Sequence, residues 1–268
     1  MSDSVSNRPL HSPVTALMYH ALTNAGTPSG QDPHYTLTTA AFTAQLHQIR
    51  RNAGGGSVRD WLAGTRACNV LLTFDDGHVS NYRHALPSLI EHRMTADFFI
   101  NPAIVGRPGF AKWHELREMS DQGMSVQSHG HDHVYLTSLP IATLHDTLRA
   151  ARQQIEDRIG KPVTLLAPPG GRMPSGLPGI ARKCGYSHVL SSRPGRIQRT
   201  HAGSIFPRMA VTESTTEAEL ESWISTDGGS LLRERARYAG LTLAKQMLGD
   251  ARYERMRGRL LGASRGSV

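Results

Sequence analysis

Asp75-Asp76, within Thr73-Phe74-Asp75-Asp76-Gly77, sets two carboxylates side by side at the end of the apolar run Val70-Leu71-Leu72. Adjacent carboxylates repel, and a site that keeps both ionised needs a cation beside them. Downstream, Ser128-His129-Gly130-His131-Asp132-His133 offers imidazoles at His129 and His133. Two imidazoles and one carboxylate, with a fourth position open, form the usual ligand set of a catalytic divalent metal. The second carboxylate is then free to act as a base on water. Each half alone is a weak signal, since Asp-Asp-Gly is a common turn and histidines four apart merely share a helical face. His131 lies between the two ligand candidates and should point elsewhere. A zincin is disfavoured, because Gly130 stands where that motif needs its glutamate.

Such residues must be held by a scaffold, and the periodicity supplies one. Val14 to His20 reads as a first strand ending in a histidine, and Phe42, Leu46 and Ile49 recur at helical spacing behind a Thr38-Thr39 cap. Gly54-Gly55-Gly56 breaks that helix, and no Lys-Ser/Thr follows to make it a phosphate loop. After the Asp-Asp strand the pattern gives a helix near 80–93, a strand over 95–100, a helix near 113–122 and a strand over 124–127. A helix over 141–159, a strand over 163–166, a helix near 177–184 and strands over 187–190 and 206–211 complete it. Strands alternating with helices of this length are parallel βα units. Chemistry in such folds collects beyond the carboxyl ends of strands. His20, Asp75, Asp76, His129 and the Pro168-Pro169-Gly170-Gly171 turn all fall there.

A chain of 268 residues fits one large α/β domain. Residues 1–13 read as a flexible N-terminus, 14–230 as the barrel and 231–268 as a basic helical extension interrupted at Gly240 and Gly249. The N-terminal stretch has no apolar core of a signal peptide, and no run is long and apolar enough for a membrane span, so a cytoplasmic protein is expected. Cys68 and Cys184 lack metal-ligand spacing. Two thiols in a reducing compartment are the simpler reading, with a disulfide left open by spacing alone. The formal charge of +8 is concentrated at the end, where 231–265 hold nine Lys/Arg against three acids. That surplus, with Leu232, Ala236, Leu243 and Met247 at helical spacing, gives either a helix packed on the barrel or a peripheral contact with anionic lipid at the inner membrane. No nucleic acid is expected, because no recognition module accompanies the charge.

Thr73 to Gly77, His129 to His133 and Ala167-Pro168-Pro169-Gly170-Gly171 resemble, in order and spacing, the first three motifs of the polysaccharide deacetylases (carbohydrate esterase family 4, the NodB-homology domain). The resemblance runs from about Leu17 to Val211. It implies a distorted (β/α)7-type barrel, here followed by the helical C-terminal extension, that removes N-acetyl groups from an amino sugar. The substrate expected is a bacterial polysaccharide or glycolipid intermediate, and a membrane contact by the basic tail would suit a lipid-linked one. It also implies that Asp75 is the general base, that Asp76, His129 and His133 hold a divalent metal, usually zinc, and that Gly170 offers a backbone N–H to the oxyanion.

Two departures stand out. The third motif commonly begins with an arginine that orients the base, and here that position is Ala167. Arg172 or Arg208 could supply the charge from another direction, although each reads more simply as a surface arginine. The late Leu-x-His element that usually provides the acid is missing, and Leu144-His145 lies too early and without the intervening residue. Tyr19-His20 resembles the N-terminal pattern of exopolysaccharide deacetylases of the poly-N-acetylglucosamine type, where permuted elements let a first-strand histidine be the acid. His20 is therefore the replacement. Rival readings are a related C–N hydrolase acting on a non-sugar amide, and a catalytically inactive sugar-binding domain.

Overall fold

A computed structural model of the chain describes residues 13–24, 31–52, 54–198, 205–225 and 229–248. The strands are β1 (Thr15–Tyr19), β2 (Ala21–Thr23), β3 (Thr36–Thr38), β4 (Gly55–Gly56), β5 (Val70–Phe74), β6 (Asp97–Ile100), β7 (Ser125–Ser128), β8 (Leu165–Leu166), β9 (His188–Leu190), β10 (Ile205–Phe206) and β11 (Met209–Ala210). The helices are α1 (Thr39–Asn52), α2 (Val58–Ala63), α3 (Leu86–Glu91), α4 (Trp113–Asp121), α5 (Ile141–Ile159), α6 (Leu177–Lys183), α7 (Glu217–Ile224) and α8 (Gly229–Leu248). The sheet runs β10-β9-β8-β7-β6-β5-β1-β11, with β4 alongside β5, and its ladders are parallel. It curls into a half-barrel flanked by helices, the distorted (β/α) barrel expected.

The barrel's seam departs from the sequence reading. The single strand expected over 206–211 is two strands at opposite edges: β10 pairs with β9, and β11 pairs with β1. Only Pro207 and Arg208 separate them, so the chain steps from one sheet edge to the other within two residues. Proline lacks the N–H that a continuous strand would use, which accounts for the break.

Parallel strands are covered on both faces, and β5 is accordingly buried along its whole length. Its alternation places Leu71, Thr73 and Asp75 on one side. Leu71 joins Ala16, Phe99, Leu165, Leu190 and Phe206 in one apolar cluster, together with Val58 and Trp61 from α2. Ser57 caps α2 by accepting from the Asp60 N–H. Gly55 and Gly56 do more than end α1. They lie against β5, where a Cβ on Gly55 would stand 2.9 Å from Met94 Sδ and 3.0 Å from Leu72 Cδ1.

The helix expected near 80–93 begins as a π-helical turn over Asn81–Ala85 before α3. Cys68 and Cys184 are free, buried thiols. Residues 1–227 and 228–268 form two separate units. In the second, α8 runs unbroken through Gly240, and Arg233, Arg235 and Arg237 are exposed. Gly249 and the rest of the basic tail lie outside the described residues. No helix among the described residues is long and apolar enough to cross a membrane.

One buried carboxyl inside the barrel has a thermodynamic signature. Asp97 accepts from the backbone N–H groups of Val58 and Arg59 at the start of α2, yet burial pushes its carboxyl up to about 7. The folded chain therefore keeps a proton that the unfolded chain releases near about 3.9. The stabilisation is complete below that lower value and is lost as pH rises toward 7. Asp97→Asn should make the fall in unfolding free energy between about pH 5 and about pH 7.5 shallower than in the wild type, measured by urea denaturation. An unchanged slope would show that Asp97 is ionised in the fold.

Candidate active site

Asp75 follows β5 directly and projects into the barrel at 3% exposure. Arg208, at the seam, is 1% exposed and meets it with two hydrogen bonds, Nη1 to Oδ1 at 2.7 Å and Nη2 to Oδ2 at 2.8 Å. The guanidinium also donates to Thr73 Oγ1 at 3.1 Å and to the Ser191 carbonyl at 3.2 Å, and it lies over the Phe99 ring. Burial alone would raise the Asp75 carboxyl, but the Arg208 charge holds it below the ordinary carboxylate value. The expectation of a surface arginine is thus corrected for Arg208. The signal was present in the sequence, because an arginine inside Ile205-Phe206-Pro207-Arg208-Met209-Ala210-Val211 sits in a segment too apolar to be surface. Arg172 instead lies over the Tyr135 ring, 4.6 Å from its centroid.

Asp76, His129 and His133 come together as expected, with one donor atom from each inside a 4.8 Å cluster. Asp76 Oδ1 is 3.2 Å from His129 Nε2 and 3.1 Å from His133 Nε2. Tetrahedral ligands about 2.0–2.1 Å from a metal stand roughly 3.3 Å from one another. The donor set and its spacing therefore fit a divalent cation. Asp76 and His133 both adopt left-handed backbone, with φ of 73° and 65°. Such conformations are unfavourable for residues with a Cβ and persist where the surroundings over-determine them, typically at functional sites. Burial raises the Asp76 carboxyl, but hydrogen bonds from His129 and His133 outweigh it and hold the group well below the ordinary value. The same contact raises His133.

His20 follows β1 and lies against Tyr35, with ring centroids 4.6 Å apart and the planes tilted by 30°. Burial lowers its imidazole from the ordinary value, while the charges of Asp76 and Asp75 pull the other way, so it shares their electrostatic environment. Its carbonyl accepts from Asn81 Nδ2 at 2.7 Å, and the Leu22 N–H donates to Ser80 Oγ at 2.9 Å. The π-helical turn thus begins where these side chains brace the chain around His20.

Gly170 lies in the tight turn after β8 with φ of 61°, and a Cβ there would stand 2.6 Å from Tyr135 Cε1. Only glycine fits both demands. The turn abuts the histidine loop, since a Cβ on Gly130 would be 3.4 Å from Pro169 Cγ. His145 is elsewhere, on α5 beside Cys184. Sequence reasoning missed Tyr35 and Asn81, whose contacts with His20 cross from other elements.

A buried pair broken on one side leaves a stranded charge, at a cost of about 3–5 kcal/mol. Arg208→Gln should lower unfolding free energy by roughly that amount, and Asp75→Asn in the same chain should recover part of it. A loss under about 1 kcal/mol by chemical denaturation would place the pair among exposed ion pairs instead.

Residues 63–189 match the family model described as polysaccharide deacetylase. YxkH of Bacillus subtilis (strain 168), named as a polysaccharide deacetylase, is 26% identical over 157 residues, covering 59% of this chain and 56% of that protein. The peptidoglycan-N-acetylglucosamine deacetylase PgdA of Listeria monocytogenes is 31% identical over 104 residues, 38% of this chain and 21% of its own length. The chain thus spans about half of the first relative and about a fifth of the second. The solved structure of IcaB from Ammonifex degensii superposes with a TM-score of 0.65 at 25% identity, covering 82% of this chain and 97% of that one. The half-barrel that brings Asp75, Asp76, His129 and His133 together is, over residues 63–189, a polysaccharide deacetylase domain.

Proposed function

We propose that this protein is a metal-dependent N-deacetylase that hydrolyses the N-acetyl group of an amino sugar within a bacterial polysaccharide or its precursor. The observation that carries this reading is the division of labour between neighbouring aspartates. Asp76 faces two imidazoles, and Asp75 faces a buried guanidinium. A sugar-binding domain has no use for a buried, ionised base, which weighs against the inactive alternative. The amino-sugar substrate is in keeping with the activity for which PgdA is named.

An acetamide is a weak electrophile with a poor leaving group, so hydrolysis needs help at three points. A divalent ion, zinc in this reading, would be held by Asp76, His129 and His133 and would supply Lewis acidity toward the amide carbonyl and a water molecule. Asp75 takes the proton from the attacking water, and Arg208 keeps it ionised and correctly oriented. The Gly170 backbone N–H is the donor assigned to the developing oxyanion. His20 returns a proton to the leaving amine as the C–N bond breaks. Acetate and the free amino sugar are the products.

Acetate release from N-acetylglucosamine oligomers, measured together with metal content, separates these roles. Asp75→Asn should keep its metal and lose turnover by roughly 10²–10⁴-fold, the usual contribution of a positioned base. Asp76→Asn should lose the metal itself. Equal metal loss in the two variants would leave Asp75 without a separate role, and release of formate or ring-opened product from non-sugar amides alone would favour the other C–N hydrolase.

The same assay addresses His20. Because burial lowers its imidazole, the alkaline limb of kcat/KM should lie on the acid side of the ordinary histidine value of about 6.5. His20→Gln should retain metal, cut turnover and flatten that limb. Near-normal turnover in this variant would make His20 a structural residue.

A further inference from the structure

We propose that Asn101 is a positioning residue for His129, setting its imidazole for a divalent cation; this rests on the metal reading above. Asn101 follows β6 directly and is 1% exposed. Its Nδ2 donates to the His129 carbonyl in a very short hydrogen bond. Two backbone bonds flank that contact, from His129 N to the Ile100 carbonyl at 2.8 Å and from Ala103 N to the His131 carbonyl at 3.0 Å. Residues 100–103 therefore splint the histidine loop.

The aspartate turn leans on the same segment. Gly77 has φ of 68°, and a Cβ there would stand 2.9 Å from Ile100 Cγ2. Both halves of the Asp76–His129–His133 cluster are thus referenced to the end of β6 and the residues just beyond it. Asn101 is the one that reaches a ligand candidate with its side chain.

The polar atoms left over point the same way. His129 is 2% exposed and its Nδ1 is buried with no hydrogen-bond partner, while Asn101 Oδ1 is buried and equally unmatched. An imidazole that gives its Nε2 lone pair to a metal carries its proton on Nδ1, and that N–H requires an acceptor. The amide already fastened to the His129 main chain carries a buried acceptor without a donor. Unsatisfied buried groups are rare enough that each calls for an explanation. Loading of a cation converts these two into a donor and an acceptor on contacting residues, matched directly or through one ordered water. The ordinary role of asparagine as a turn former accounts for the Nδ2 bond but leaves both unmatched atoms unexplained.

The test is the affinity of the full-length apoprotein for Zn2+ alone, by chelator competition. Asn101→Leu, similar in volume and without polar atoms, should weaken Zn2+ binding by roughly 10–100-fold. Asn101→Ser serves as a second variant if the leucine chain does not fold, with a loss in the same direction. Because Asn101 acts through His129, Asn101→Leu in a His129→Ala background should alter the residual affinity by less than about twofold. Zn2+ affinity of a folded Asn101→Leu chain within about twofold of wild type, or a loss of equal size without His129, would overturn the proposal. Failure of the wild-type protein to bind Zn2+ is a distinguishable result, which overturns the metal reading and this proposal with it.

Discussion

Asp75 and Arg208 face each other inside the barrel through two hydrogen bonds, with side chains 4% and 1% exposed. Removing two charges from water costs several kcal/mol per ion, and replacing such pairs with apolar residues is often neutral or stabilising. Stability therefore does not explain this pair. Its effect is an ionised carboxylate in an interior that would otherwise protonate it. Arg208 reaches that position because it occupies the step between the two edges of the sheet. The seam of the barrel and the charge on Asp75 thus depend on the same short segment.

The other site residues obey the same geometry. Parallel strands β1, β5, β7 and β8 end together, and the residues just beyond them are His20, Asp75, His129 and the Ala167–Gly171 turn. Each short strand fixes where its terminal side chain can go, and positive φ at Asp76, Gly130, His133 and Gly170 redirects the chain beyond each turn. Glycine allows close approach beside these turns, Gly77 to Ile100 and Gly130 to Pro169.

Most of the βα order was legible because strands buried on both faces are written as short apolar runs, as in Val70 to Phe74. The juxtaposition of Asp76 with His129 and His133 was legible because Asp76 and His129 lie beside strand ends and His133 shares the loop after His129. The apolar segment around Arg208 marked it as buried, but its partner was not readable, because Asp75 is 133 residues away and no local period reports a contact across a barrel seam. The break at Pro207 was readable in principle, since proline interrupts a strand. The contacts of Tyr35, Asn81 and Asn101 with His20 and His129 were not readable, because each arises where separate elements converge. Gly240 was overread as an interruption. Glycine costs a helix about 1 kcal/mol relative to alanine, which neighbouring helix formers such as Leu241 and Ala239 can offset.

The claim on which the rest stands is that the two adjacent aspartates do different work. The most direct measurement is anomalous diffraction at the zinc edge from a crystal of the intact protein loaded with Zn2+. The expected map has one peak within about 2.0–2.2 Å of Asp76, His129 and His133, with both Asp75 oxygens still on Arg208. A peak ligated by Asp75, with Arg208 displaced from it, would contradict that division.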